Sequence, residues 1–424
     1  METRIRLSLF NVIVFVVFCV SDSYCDTIKR KVHTECLQPT ILPENVTFLN
    51  MFYTRANGPD DTLHYITSTY GLLSILVAKT DNGVECNINW KNFFSNNLTD
   101  VAHSITFTKS PHYVYGIQFL QLIEYDDPED KADLDKANPN STHKYNLSSD
   151  VPWTNSSLYS DLSKNEIVFK VNENYTESET GETMTFLPGG SLDFKVRVSG
   201  EADRATSLPH LQQTANTTEV DVIMNHILAH YDNARYGLEI SYITTNLDQV
   251  AGSIHLNTKT SIDDEHTPGV FQIIDISVNM TPTSFIQWKP VCYKSPNRAM
   301  KTATKVKNYP LSYDDNITCN VNAKRNILYA YFGEAMCSST DYKMALFNVS
   351  FGLSQDKFYT HTNYSAWSFI LGYGEVPSEK ISLIIIIIIS IGLGVPVLLI
   401  LFGGLGALVH KKKRDDKSKN TAVN

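Results

Sequence analysis

The chain runs to 424 residues, 42% of them hydrophobic and 11% aromatic, with a formal net charge of −9 and a pI near 5.7. That acidity, and the lack of any basic patch interleaved with aromatic residues, excludes a nucleic-acid-binding protein, because phosphate backbones demand clustered Lys and Arg. The length also exceeds one ordinary sandwich and points to two packed units or one enlarged domain.

At the N-terminus, Arg4 and Arg6 precede the apolar residues 7–20, and Ser21, Ser23 and Cys25 follow near candidate cleavage points. The apolar run is too short to span a bilayer core of roughly 30 Å. It reads as a secretory signal peptide over residues 1–25, so residues 26–380 form a lumenal ectodomain.

Strand signals run through the ectodomain. Ser191, Asp193, Lys195 and Arg197 alternate with Leu192, Phe194, Val196 and Val198, the period of two of a half-buried strand. Comparable segments cover residues 72–78, 114–125, 166–171, 219–224, 236–244, 270–278, 285–291, 327–332 and 345–351, and no long amphipathic helix competes with them. The expected fold is an all-β ectodomain of β-sandwich type, built as two packed β units. In the last segment Phe347, Val349 and Phe351 share one face and Asn348 and Ser350 the other, which puts Asn348 on the solvent side. Residues 126–165 open with Asp126-Asp127-Pro128-Glu129-Asp130, are poor in apolar side chains and read as a long surface excursion.

Eleven N-x-S/T acceptors fall between the two apolar ends of the chain, at Asn45, Asn97, Asn140, Asn146, Asn155, Asn174, Asn216, Asn279, Asn316, Asn348 and Asn363. Such sites count only in a chain that enters the secretory lumen, and this many form a pattern. Asn279 is the weakest acceptor, since Pro282 follows its threonine. Cysteine usage agrees with an oxidising lumen. Cys319 and Cys337 would close a loop of roughly 19 residues, worth about 3 kcal/mol. Cys36 with Cys86 is the second expected pair. That leaves Cys292 as a buried free thiol, a partner for Cys25 or a link between two chains. Of the twelve histidines, all but His410 lie in the ectodomain, where protonation near pH 5 would offset the acidic balance and suit an acid compartment.

Chemistry is harder to find. The chain has no GxSxG, HExxH, EF-hand loop, P-loop or GxGxxG. The best polar cluster is Ser261-Ile262-Asp263-Asp264-Glu265-His266, where Asp263, Glu265 and His266 are the nominees for calcium binding or acid/base work. Adjacent residues rarely converge on one site, and beside Pro268 they more often cap a turn. The expectation is therefore no catalytic site, no metal and no cofactor. Trp90, Trp153, Trp288 and Trp367 are spread widely and are assigned to core packing rather than to a carbohydrate-binding strip.

Residues 381–409 contain no charge, include six consecutive isoleucines from Ile384 to Ile389, and are followed by His410-Lys411-Lys412-Lys413-Arg414. This is the pattern of a stop-transfer helix with a cytosolic basic tail, residues 410–424, which makes the chain a single-pass type I membrane protein. The tail's charge also suits anionic membrane lipid. Ser390 with Gly394, and Gly403 with Ala407, offer four-residue spacings at which another helix packs closely, and Pro396 introduces a kink.

The chain resembles the glycosylated lysosomal membrane protein family. The resemblance rests on Thr62-Leu63-His64-Tyr65, Asn89-Trp90, Leu122-Ile123-Glu124-Tyr125-Asp126 and Pro152-Trp153 before Asn155. It continues through Ser261-Ile262-Asp263-Asp264-Glu265, Val270-Phe271-Gln272, Gln287-Trp288-Lys289-Pro290, Phe347-Asn348 and Trp367-Ser368. It implies a lysosomal type I glycoprotein without catalysis, the accessory subunit of a multi-spanning transporter of the major facilitator superfamily, whose lumenal loops it covers against proteases. It also implies a homodimer. One departure stands out: members of the family end in a tyrosine-based sorting signal, whereas residues 410–424 contain no tyrosine. Two alternatives remain, a cell-surface receptor or adhesion ectodomain and a membrane-anchored lumenal hydrolase.

Overall fold

The computed structural model describes residues 28–40, 42–43, 46–148, 150–178, 180–245, 254–261, 267–278, 283–313, 325–338, 342–378 and 383–421. Antiparallel strands dominate it. Leaving aside three short two-stranded ribbons, the first six are β1 (Lys31–Cys36), β2 (Met51–Asn57), β3 (Asp61–Ser68), β4 (Ser74–Asp81), β5 (Tyr113–Asp126) and β6 (Thr142–Asn146). Next come β7 (Glu166–Val171), β8 (Phe186–Val198), β9 (Thr217–Ile227), β10 (Ala234–Thr245), β11 (Ile254–Thr260) and β12 (Gln272–Val278). The last are β13 (Thr283–Trp288), β14 (Val291–Tyr293), β15 (Ala303–Asn308), β16 (Tyr342–Phe351) and β17 (Tyr364–Gly374).

They form two facing sheets. One runs β1-β2-β3-β4-β5-β10-β16-β15, with β6 paired to the distal half of β5. The other runs β7-β8-β9-β17-β13-β12-β11. The short β14 pairs with both β17 and β15 and so joins the two sheets along one side.

One hydrophobic core lies between them, drawing Leu63, Tyr65, Ile75, Val77, Tyr115 and Ile117 from the first sheet and Phe169, Phe194, Val222, Trp288, Trp367 and Phe369 from the second. The two packed β units expected from the sequence are thus two sheets sharing one core. A separate cluster covers the outer face of the first sheet. There Ile66, Leu76, Ala78, Val114 and Ile243 meet Phe93, Val101, Leu328, Ala330 and Phe332 from three short helices, Trp90–Phe93, Leu98–Val101 and Ile327–Phe332. Burial on both faces explains why residues 72–78 read as a continuous apolar run rather than an alternating one.

Residues 327–332 are a helix, not the strand expected. Asn326 caps it, its Oδ1 accepting from the backbone N–H of Leu328 at 2.8 Å and of Tyr329 at 3.1 Å, and Gly333 with φ +58° ends it. Ile327, Leu328, Tyr329, Ala330 and Phe332 are all buried, so no polar face reveals the helical period. The segment 126–165 is less of an excursion than its composition implies: β6 lies within it, and Tyr145, Leu147, Val151 and Trp153 enter the main core. The Asn348 face of β16 is also partly covered. Ser350 is buried with its hydroxyl 2.8 Å from that of Tyr309, and Leu346 packs with Leu72 and Leu120.

Buried polar groups tie the layers together. The Tyr113 hydroxyl lies 2.5 Å from that of Thr244 in the first sheet and 3.2 Å from those of Thr283 and Ser284 in the second, and Tyr242 bonds Ser284 at 2.6 Å. Arg235 on β10 is the main charged hub. Its guanidinium donates to Asp127 at 2.7 Å and Asp130 at 2.6 Å, reaches Asp356 at 3.3 Å and lies over the Phe358 ring at 4.9 Å. The acidic run after β5 therefore serves this arginine. At Gly352, φ +118°, an added Cβ would stand 2.2 Å from Arg235 Nη1, so only glycine leaves room for the side chain.

Cys36 and Cys86 do not form the expected bridge. Both are free, and they pack against different clusters, Cys36 against the core between the sheets and Cys86 against the outer one. Cys292 is free and fully buried within the main core, the first of the three alternatives open to it. Cys25 and Cys319 lie outside the described residues, as does the Cys337 side chain.

Replacing Arg235 with leucine should destabilise the ectodomain by about 3–5 kcal/mol, since it strands Asp127, Asp130 and Asp356 beside a buried apolar group; thermal unfolding checks this, and lysine should rescue little because it lacks the planar fork. Burial raises the Cys86 and Cys292 thiols to about 12, so alkylation of the native protein should label Cys36 well before either. On non-reducing gels Cys292→Ser should leave the band pattern unchanged.

Candidate functional site

Eight of the eleven sequon asparagines lie among the described residues, and none of these eight is buried. Asn97, Asn140 and Asn174 are exposed, whereas Asn146, Asn155, Asn216, Asn348 and Asn363 are half-buried. Asn45, Asn279 and Asn316 lie outside the described residues. The fold uses the side-chain oxygens. Asn97 and Asn155 accept from the backbone N–H groups of Thr99 and Ser157, capping short helical turns, and Asn174 accepts from Phe186 N–H at 2.8 Å. Asn216 accepts from Arg30 Nε at 2.8 Å and Asn146 from Gln121 Nε2 at 2.8 Å. In these five the acceptor oxygen is thus engaged, and the nitrogen is the atom to which a glycan is joined. Asn348, Glu239, Gln121 and Asn146 form one cross-strand row on β16, β10, β5 and β6, with an acceptor asparagine at each end.

Asp263, Glu265 and His266, nominated for metal or acid/base chemistry, lie outside the described residues. Among the described residues, no group of three or more His, Cys, Asp or Glu side chains is placed to hold a metal ion.

A polar cluster lies where β5, β6 and the β9–β10 connection meet. The rings of His143 and His230 stack at 4.3 Å. His143 Nδ1 is 2.5 Å from Glu182 Oε2, and its Nε2 is 2.9 Å from the Tyr231 hydroxyl. His230 Nδ1 is 3.0 Å from Oε2 of Glu124, which also accepts from Tyr145 at 3.1 Å, while Oε1 accepts from His230 N–H at 2.5 Å. Glu124 is completely buried and His143 largely so. Burial, with Glu124 adding to it, pushes the phenols of Tyr145 and Tyr231 up, so both hydroxyls stay neutral donors. The groups bonded to the imidazoles are carboxylates and phenols, not an activated Ser, Cys or Thr. The arrangement holds a completely buried carboxylate against two stacked imidazoles and two phenols. Its members come from residues 124, 143–145, 182 and 230–231, so only the fold brings them together.

The expected membrane segment is helical. Leu383–Thr421 forms one α-helix with Pro396 inside it, and Ile388, Ile391, Leu399, Ile400 and Leu408 are each at least 60% exposed. Gly403 has no neighbour within 4 Å of a would-be Cβ, while the surroundings of Ser390 and Gly394 lie outside the described residues. Among the described residues, no helix is long and apolar enough to cross a membrane.

The family described as Glycosylated lysosomal membrane protein matches residues 50–414. Glycosylated lysosomal membrane protein A of Xenopus laevis is 29% identical over 373 residues, covering 86% of this chain and 87% of its own. The protein of that name from Danio rerio is 28% identical over 421 residues, 96% of each chain. The Homo sapiens protein is 27% identical over 365 residues, 86% of this chain and 85% of its own. The match takes in the His64 strand, Glu124, both stacked histidines and most of the C-terminal helix, and the chain belongs to the glycosylated lysosomal membrane protein family.

Proposed function

We propose that the chain is a single-pass type I lysosomal membrane protein and the non-catalytic accessory subunit of a multi-spanning transporter of the major facilitator superfamily. Its ectodomain covers the transporter's lumenal loops, protects them from proteases and supports the transporter's stability and localisation. The observation that carries this reading is the helix Leu383–Thr421, whose described apolar side chains are exposed and so await lipid or another helix. A signal-like N-terminus and a dense set of sequons support the lumenal placement of what precedes it. A sandwich with one shared core and ionic ties between distant segments opens locally with difficulty, which is what a shield against proteases requires.

The ectodomain also has titrating groups that oppose one another in acid. His64 on β3 is fully buried between the Tyr53 hydroxyl at 2.5 Å and the Thr80 hydroxyl at 2.8 Å. Burial, with Arg55 adding, lowers its pKa to about 4. The folded value lies below the unfolded one, so His64 contributes fully above about pH 6.5 and loses that contribution as pH falls, about 2 kcal/mol by pH 5. Glu239 and Glu219 go the other way. Burial raises both, against Lys144 and Arg197 respectively, so the penalty on their ionised forms is relieved as pH falls.

Mild-detergent purification of the tagged full-length protein from lysosome-enriched membranes should recover one polytopic transporter, whose level falls when this protein is depleted. In cells lacking that transporter the protein should be stranded at the surface or in the secretory pathway. Recovery of no such partner, with the protein mainly at the plasma membrane, would favour a surface receptor instead. Replacing His64 with glutamine should narrow the stability gap between variant and parent by about 2 kcal/mol between pH 7 and pH 5; a gap that does not change with pH would show that His64 does not titrate in that window.

A further inference from the structure

Beside the turn between β3 and β4 lies a cleft of about 540 Å³, within the range of roughly 300–1,000 Å³ usual for ligand sites. Phe48, Tyr70 and Trp153 supply aromatic surface, and Asn50, Asp150 and Arg325 supply polar groups. Its lining is too polar for an apolar ligand and too aromatic for a simple water-filled groove. A pyranose has the matching character, an apolar C–H face that stacks on aromatic rings and a polar rim that bonds amides and charged groups.

A glycan acceptor, Asn155, lies beside it. Asn50, which lines the cleft, clasps the chain on both sides of the Asn155 sequon: its Nδ2 donates to Thr154 O at 2.8 Å and its Oδ1 accepts from Ser156 N–H at 2.9 Å. Asn155 itself is half-buried, with its side-chain oxygen held by Ser157 N–H at 3.1 Å. Two residues before it, Trp153 is in the cleft wall. In sequence, the acceptor Asn45 immediately precedes Val46, another lining residue.

We propose that this cleft is the seat of the N-glycan on Asn155, whose inner sugars lie on Trp153 and Tyr70 and are bonded at the rim by Asp150 and Arg325. The proposal rests on the lumenal placement above and adds a role for one glycan: it closes an opening into the core, where Trp153 packs on Phe194 at 5.9 Å between ring centroids.

The test is Ser157→Ala in the full-length protein made in secretory cells. It removes the acceptor motif but keeps Asn155 as the cap, and Asn140→Gln removes an exposed glycan as the control. Hydrogen exchange over residues 46–50 and 148–153 should quicken about tenfold in S157A and stay unchanged in N140Q. In the unaltered native protein, peptide N-glycosidase should release the Asn155 glycan about tenfold more slowly than those on Asn97, Asn140 and Asn174, as steric protection requires. Equal exchange in both variants, release at the common rate, or an Asn155 without glycan while Asn140 carries one would each overturn the proposal. If none of the sequons carried glycan, the lumenal placement would fail instead.

Discussion

The structure depends on burial of both faces of the first sheet. Its inner face packs on the second sheet and its outer face on three short helices, so β3, β4, β5 and β10 have little solvent face over much of their length. In a sheet covered twice a buried polar group is costly unless it finds a partner, and several find one within the fold. The hydroxyls of Tyr113, Tyr242, Thr244, Thr283 and Ser284 do so by bonding one another across the gap between the sheets. His64 does so by staying neutral between two hydroxyls, which makes it sensitive to acid. The same burial that organises the fold therefore sets part of its response to pH.

Strands with one solvent-facing side were readable from the sequence. Residues 191–198 alternate because one side of β8 carries Asp193, Lys195 and Arg197 in a charged ladder with β7 and β9, where Lys170 meets Asp193 at 3.3 Å and Arg197 meets Glu219 at 2.9 Å. The helix Ile327–Phe332 was not readable, because its β-branched and aromatic composition is that of a strand and only the Asn326 cap and Gly333 mark its ends. Periodicity needs a polar face to be visible, and this helix has none. The strand β6 escaped notice for the opposite reason: among its five residues only Tyr145 is buried, so no apolar pattern announces it.

The functional groups divide the same way. Sequons are local motifs and were legible as such, but how each asparagine is held was not, since Arg30, Gln121 and Phe186 reach their partners from distant or paired strands. The stacked histidines have no motif. Their contacts join a strand following β5 to the β9–β10 connection, a juxtaposition that exists only after β5 has paired with both β6 and β10.

The strand that leads to the C-terminal helix is not at an edge. β17 pairs with β9 over nine residues on one side and with β13 and β14 on the other, and just beyond it Pro377 O accepts from the buried Gln287 Nε2 at 2.8 Å. A pull transmitted through the helix would thus load many antiparallel hydrogen bonds at once, along their strands, instead of peeling an edge one bond at a time. The sandwich is held by its middle, so a force on its C-terminal end would move it as a single rigid body.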